Sequence, residues 1–496
     1  MACLTLTATL CPSILRAEKW LWLGSEHFDM MSSESEAQSR RMLAKLEQFH
    51  AAFSSMSRDT GDYEQRPLAF VFSNAKLFNT YFPKAGVTTI GYYLGGSISQ
   101  RMAMTNDERR YGYASLYYGY ASALVNTRAL LAPYYFKVGM AMFLASFEAS
   151  GNEAAFGGPP PPGLGFVAEL VETKLMEWPE FFSVRASDNY GNDAWRRRFN
   201  AQAWLLRHYA MFGNKTGPVT SANLYKFMKL CQWRGANMQD VFYACFGINY
   251  GKLDSLLYNY LHDGRFKTLS VQVPLQPIRE KITCREATEF ECAAYLAGLH
   301  LDPKSNDTQT YQNQLLKLAG ANPANPIPYE ILANFEISRK DGQKLAEEYC
   351  RNAVERNTTN PMVYIWLLRN SPRLWQANYN DLMTEQESAD ARKLVDRALE
   401  LAPNSQDAHE CLAIIEAHSP TMRAAAVKQV RDIFPKMQDP NRMLTALGIM
   451  DWRNKDYDGA TDAMDALLSS ALIPDAVRKQ AEQFKADIQK AKAAGK

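Results

Sequence analysis

The sequence predicts two architectures in one chain: an α+β N-terminal domain, mostly helical after a small sheet, followed by an all-α array of helical repeats. Three observations lead there. Nearly all the short apolar or alternating runs suited to strands fall before Thr105. Helical spacing dominates from there on. In the second half, small residues recur at helical offsets, with separations close to multiples of one helix-pair length. At roughly 100–200 residues per domain, 496 residues make two to four domains. The balance of 55 Lys and Arg against 53 Asp and Glu gives no global electrostatic case for nucleic acid. With 47% hydrophobic and 22% charged residues, the chain has the composition of an ordinary soluble globular protein.

Ala2 to Leu15 are uncharged and apolar, and Arg16-Ala17-Glu18-Lys19 follow. Residues 1–17 are therefore a candidate signal peptide, although no Lys or Arg precedes the apolar run. The other readings are a buried first strand or a start codon set too early. The run is too short to span a bilayer, which takes about 20 apolar residues, and no transmembrane span is expected elsewhere. Trp20 to Met31 alternates and predicts a strand or hairpin. Ser33 to Met56 carries Met42, Leu43, Leu46, Phe49 and Phe53 at helical spacing, with Ser33 or Ser35 as cap. Pro67 to Ser73 reads as a buried strand and Asn74 to Phe82 as a helix. Gly86 to Met104 reads as a turn and hairpin. A helix capped by Asn106 or Asp107 runs to about Arg128, and Pro133 opens another that reaches about Ser150.

Residues 151–165 form a loop with four consecutive prolines, a stiff surface segment rather than a recognition motif. Helices follow over Phe199 to Phe212, Ser221 to Arg234, Met238 to Phe246 and Lys252 to Leu261. Gly247 is a helix-end glycine. A strand from Thr268 to Val273, followed by Pro274 and Pro277, marks the exit from a domain spanning 18–275.

From 286 to 490 the chain reads as stacked helix pairs. Ala391, Val395, Ala398 and Pro403 stand at the second-helix positions of a tetratricopeptide repeat, where small residues let paired helices approach. Ala346, Cys350 and Ala353 repeat the spacing, and Ala460, Met464 and Leu467 do so more weakly. The step from Ala346 to Ala391 is 45 residues, longer than the period of about 34. Residues 371–386 are the insert that accounts for it. Three to five degenerate units are expected, closed by a capping helix from Ala476. The eight cysteines include no CxxC pair and no zinc-ligand spacing. Cys284 and Cys292 are near enough in sequence to invite a bridge, which spacing alone does not decide.

Residues 20–270 resemble a bacterial secreted family that joins a gluzincin-type zinc peptidase-like domain to tetratricopeptide repeats. The segments that carry the match, in order, are WLWLGSEHFDMMSSESEAQSRRMLAKLEQFHAAF, PLAFVFSNAKLFNTYFP, GYYLGGSISQRMAM, FNAQAWLLRHYAMFG and FYACFGINYGKLDSLLYNYL. The resemblance implies a metallopeptidase-like fold with its zinc site on two helices. The first should carry HExxH, whose two His bind zinc and whose Glu polarises the bound water. Here Tyr118 replaces the first His, Gly119 the Glu and Ser122 the second His. On the second helix Val138 stands for the ligand Glu and Met142 for the next Glu, with Lys137 adjacent. Tyr, Ser and Val do not make a zinc ligand set. No HExxH occurs anywhere in the chain, so no metal or other cofactor is expected.

Other candidates are few. His409-Glu410 begins like a metallopeptidase motif, but Ala413 stands where the second His belongs. There is no GxSxG elbow, P-loop or Rossmann fingerprint. Arg196-Arg197-Arg198 reads as a solvated helix start. Tyr111, Tyr113, Tyr117, Tyr118, Tyr120, Tyr134 and Tyr135 either line an aromatic cleft or fill the volume a metal site vacated. Tyr117, Tyr118, Ser122, Tyr134, Tyr135 and His208 are the candidate cleft lining, His208 also reading as a packed core residue.

The expectation is a non-catalytic binding or scaffold protein, a pseudo-peptidase whose repeats take a protein or peptide partner. The rival readings are a hydrolase with a different or misaligned constellation and a structural subunit of a larger assembly. The protein is periplasmic or secreted if residues 1–17 are a signal peptide, and cytoplasmic otherwise.

Overall fold

The computed structural model describes residues 19–56, 66–82, 91–105, 114–128, 132–159, 167–185, 193–213, 216–231, 237–301, 307–375, 378–437, 439–470 and 473–495. The candidate signal peptide, Tyr111, Tyr113, the Asn106 or Asp107 cap and most of the proline run lie outside them. The fold is mostly helical with a small N-terminal sheet, and a continuous series of helices follows it.

Strands β1 (Leu21–Gly24), β2 (Asp29–Ser32), β3 (Leu68–Phe72), β4 (Gly91–Leu94) and β5 (Arg101–Thr105) form a sheet with β9 (Thr283–Glu286), in the order β4-β5-β3-β2-β1-β9. β2, β3 and β5 run parallel, and the other neighbours are antiparallel. The parallel pairs require crossovers, which helices Glu36–Met56 and Ala75–Tyr81 supply. Ser35 accepts a hydrogen bond from the Gln38 N–H at the start of the first, and Asn74 accepts from Leu77 at the start of the second.

Alternation on β3 divides the core. Leu68, Phe70 and Phe72 face one cluster with Trp20 and Phe78, while Ala69 and Val71 face the main core with Met30, Met102 and Met104. A central strand buried on both faces reads as the continuous apolar run seen here. On the main-core side lie helices Glu36–Met56, Ala114–Arg128, Tyr134–Ala145 and Asp193–Phe212, with further short helices to Tyr250–Asp263. Gly139 marks where two of them nearly touch: a Cβ there would stand 2.5 Å from the Ala203 carbonyl oxygen.

Two sequence expectations change. The helix opened by Pro133 ends at Ala145 rather than near Ser150, and the expected loop begins as a strand pair. β6 (Glu148–Ser150) and β7 (Glu153–Phe156) form a hairpin about Gly151 and Asn152, with Gly151 at φ 57°. β8 (Leu269–Gln272) pairs with β7, and this distant partner makes strands of residues whose local pattern is weak. The Ser146 hydroxyl secures the break by donating to Phe143 O and accepting from Gly157 N–H. β8 matches the expected exit strand, but the chain then forms helix Leu275–Glu280 and returns to the first sheet as β9 on β1. Gly247 caps its helix in the left-handed region, φ 65°, as expected.

The helical half begins directly against the sheet. Leu296 and Leu299 of helix Glu289–Leu299 pack on Phe70 and Phe72's side of it. Ile98, from the loop between β4 and β5, inserts among Ala333, Ala346, Cys350 and Val363. Its carbonyl accepts from Asn360 Nδ2 at 2.8 Å. Helices then follow in succession: Thr308–Ala321, Ile327–Ile337, Gln343–Glu355, Pro361–Arg369, Glu385–Leu401, Gln406–His418, Ala424–Ile433, Asn441–Arg453, Tyr457–Ser469 and Asp475–Ala493. The small positions read from sequence are where these helices meet. Ala346, Cys350, Ala353, Val395, Ala398, Ala460 and Met464 are wholly buried. No described helix is long and apolar enough to cross a membrane.

Candidate functional site

The two helices expected to carry a zinc site, Ala114–Arg128 and Tyr134–Ala145, lie side by side. Ser122, one helical turn on, and Tyr134 both lie close to the Tyr118 phenol. Burial, with Tyr134 adding to it, pushes that phenol up to about 12, so it stays protonated. Val138 and Met142 are part of the packed core. Gly119 is crowded from outside: a Cβ there would stand 2.3 Å from Tyr93 Cβ on β4. The Tyr93 hydroxyl in turn donates to Gln100 Oε1 at 2.5 Å.

The described tyrosines pack against different neighbours. Tyr117 stacks on Phe49, ring centroids 4.9 Å apart. Tyr134 stacks on Phe199, and Phe199 on Trp195. Tyr135 turns the other way into Phe181, Phe182 and Phe227, where its hydroxyl has no partner among the described residues. His208 is fully buried, with Nε2 2.9 Å from Lys267 O and Nδ1 2.8 Å from the Tyr260 hydroxyl. The carbonyl can only accept, so Nε2 carries the proton and Tyr260 donates to Nδ1. Burial drives the His208 pKa down to about 4. His208 is a satisfied core histidine, one of the two roles its sequence context allowed.

A polar cluster nearby escaped the sequence reading. His27, between β1 and β2, stacks on His50 of helix Glu36–Met56 with ring centroids 3.9 Å apart. Glu47 accepts from the His27 backbone N–H at 2.8 Å and meets His27 Nδ1 at 2.7 Å. Burial would raise the Glu47 pKa, but these bonds and one from Ser25 outweigh it and hold the carboxyl below its ordinary value. His50 Nδ1 lies 2.9 Å from the Tyr120 hydroxyl. Glu47 and His50 stand three apart on one helix, a visible signal, but their partners come from distant segments. Among the described residues, no group of three or more His, Cys, Asp and Glu side chains is arranged to hold a metal ion. His409 is likewise occupied: Nδ1 faces Ser405 O at 2.7 Å and Nε2 faces Gln429 at 3.1 Å.

The helical half contains a cavity of about 530 Å³. The insert, residues 371–386, builds one wall with Leu374, Trp375 and Tyr379; helix Asn441–Arg453 and the closing helix Asp475–Ala493 build the others. The insert is pinned in place. Met383 N–H donates to His418 O at 2.8 Å, and His418 Nδ1 lies 2.8 Å from Asp381 O. Tyr379 stacks on Phe484 at 4.3 Å, and the Arg442 guanidinium lies over the Trp375 ring at 5.1 Å. Arg369 also lines the space, bonded to Asp407 at 2.6 Å and Glu410 at 2.7 Å. The spacing anomaly singled out residues 371–386, but nothing in the sequence pointed to Arg442 or to the cavity.

No protein-family model, curated protein or solved structure matches this chain.

Proposed function

We propose that this chain is a non-catalytic binding or scaffold protein: a degenerate gluzincin-like peptidase domain joined to tetratricopeptide-like repeats that take a protein or peptide partner. The observation that carries the reading is the packing at Gly119. In the family resembled, that position holds the general base, which needs room for a side chain and a bound water. Here Tyr93 occupies the space that a side chain would enter. The flanking positions support the same reading, with Ser122 beside the Tyr118 phenol and Val138 and Met142 buried in the apolar core. The burial of small residues at 346, 350, 353, 395 and 398 supports the repeat assignment, because stacked helix pairs need such close contacts.

Elemental mass spectrometry on purified, unchelated protein tests the reading. The expected result is zinc far below stoichiometric, with no turnover of a broad peptide library. About one zinc per chain would overturn it, since a bound ion needs a ligand set that the alignment does not contain.

A further inference from the structure

We propose that the cavity behind the insert is a binding site for a small organic acid, an aromatic or branched hydrocarbon body bearing one carboxylate. This goes beyond the scaffold reading and does not require it.

The size suits such a ligand: about 530 Å³ lies within the range of small-molecule sites, roughly 300–1,000 Å³. Its walls are mainly apolar, with Trp375, Tyr379, Ile449 and Phe484 among the lining side chains. A hydrocarbon body between them removes apolar surface from water.

The polar groups select the head group. Asn441 and Thr445, one turn apart and half-buried, line the cavity, and their side chains make no hydrogen bond among the described residues. The two arginines at the cavity differ. Arg369 Nη2 is engaged by both Asp407 and Glu410, so its charge is already matched. Among the described residues Arg442 reaches only Glu410, at 3.6 Å and beyond hydrogen-bond range, and that carboxylate is shared with Arg369. Its guanidinium is oriented by the Trp375 face and keeps its donors unspent. Asp439 lines the same space and accepts from the Asn441 backbone N–H at 3.1 Å, so an anion is favoured on the Arg442 side. A carboxylate there takes charge-assisted bonds from Arg442 and neutral bonds from Asn441 and Thr445. A cationic ligand would face Arg442 directly.

Indole-3-propionate is the probe, titrated into the full chain by calorimetry, with tryptamine as the cationic counterpart of the same ring. One saturable site is expected for the acid, with tryptamine at least about tenfold weaker, a difference of about 1.4 kcal/mol. Arg442→Gln is expected to weaken the acid about tenfold while leaving the melting temperature nearly unchanged, because Arg442 is exposed and makes no hydrogen bond among the described residues. Thr445→Leu removes the hydroxyl donor and narrows the cavity, and is expected to weaken binding in a folded protein. The proposal is overturned if the acid shows no saturable binding at millimolar concentration, if tryptamine binds as well, or if both variants bind like the parent. None of these outcomes bears on the scaffold reading, which zinc content and peptide turnover test separately.

Discussion

Tyr93 on β4 packs across Gly119 so closely that a Cβ at position 119 would stand 2.3 Å from Tyr93 Cβ and 2.9 Å from its Cγ. The obstructing atoms sit at the root of the side chain, so a rotamer change cannot clear them, and the strand or the helix has to move. Gly119→Ala gains about 1 kcal/mol of helix propensity and loses about 1–3 kcal/mol to overpacking. A net loss of stability is expected in urea denaturation. Tyr93→Gly on the same background, which removes the obstructing Cβ itself, should recover much of the overpacking cost, and a double-mutant cycle measures the coupling. If Gly119→Ala alone is as stable as the parent, the strand yields easily and the argument from filled space fails.

His208 makes stability depend on pH with a definite sign. Its folded pKa lies near 4, below the ordinary 6.5, so the unfolded chain binds the proton first as pH falls. Stability is then fully present above about pH 6.5 and declines as pH drops toward 4. His300, His409 and His418 are shifted down by burial too and add to the slope. His208→Phe should be less stable at neutral pH, having lost two hydrogen bonds, yet shallower in its pH dependence across that window. Denaturation series for both proteins at several pH values between 4 and 7 give the comparison; parallel slopes would mean His208 does not titrate on unfolding.

What the sequence made legible follows from how local each signal is. The run from Leu68 to Phe72 and the stripe of Met42, Leu46, Phe49 and Phe53 carry their own periodicity, and both elements form where expected. The β6–β7 hairpin was missed because Ala154 finds its partner in Val271, far along the chain. His27 and Glu47 were missed for a similar reason, lying on separate elements brought together by the fold. Where the family resemblance places a zinc site, sequence named Tyr118, Gly119, Ser122, Val138 and Met142, but Tyr93, which closes the space at Gly119, comes from another element. Residues 371–386 stood out by spacing; the cavity beside them depends on Arg442 and Phe484 arriving from later helices.

Glu416 joins three segments of the helical half. Its side chain is fully buried and accepts from Arg392 Nε and Nη2 at 3.0 and 2.8 Å, and from Arg423 Nε and backbone N–H, both at 2.8 Å. Removing one member of a buried ionic network leaves the others uncompensated, at about 3–5 kcal/mol. Glu416→Ala should lose about that much in chemical denaturation. Glu416→Gln keeps the shape and two acceptor lone pairs and should lose less. Arg423 retains Asp396, so the harm centres on Arg392, and Arg392→Met on the Glu416→Ala background should relieve part of it. Equal stability of Glu416→Ala and parent would show that water replaces the carboxylate.

Cys284 and Cys292 face opposite sides of the first sheet. Cys284, on β9, packs against the main core, whereas Cys292, on helix Glu289–Leu299, packs with Trp20, Phe70 and Phe72's cluster. Both are free thiols, and closing a bridge between them would require Cβ atoms about 3.8 Å apart. Burial pushes both thiols up, Cys292 to about 11, so little thiolate is available near neutral pH. Both should therefore react slowly with thiol reagents in the folded protein and fast once it is unfolded. Alkylation under denaturing, non-reducing conditions followed by peptide mapping is expected to find the two residues separately modified. A disulfide-linked 284–292 peptide as the main species would mean that β9 leaves the sheet edge in solution. In that case the contact that ties the helical half to the N-terminal sheet through β1 and β9 would be one of two arrangements of the chain.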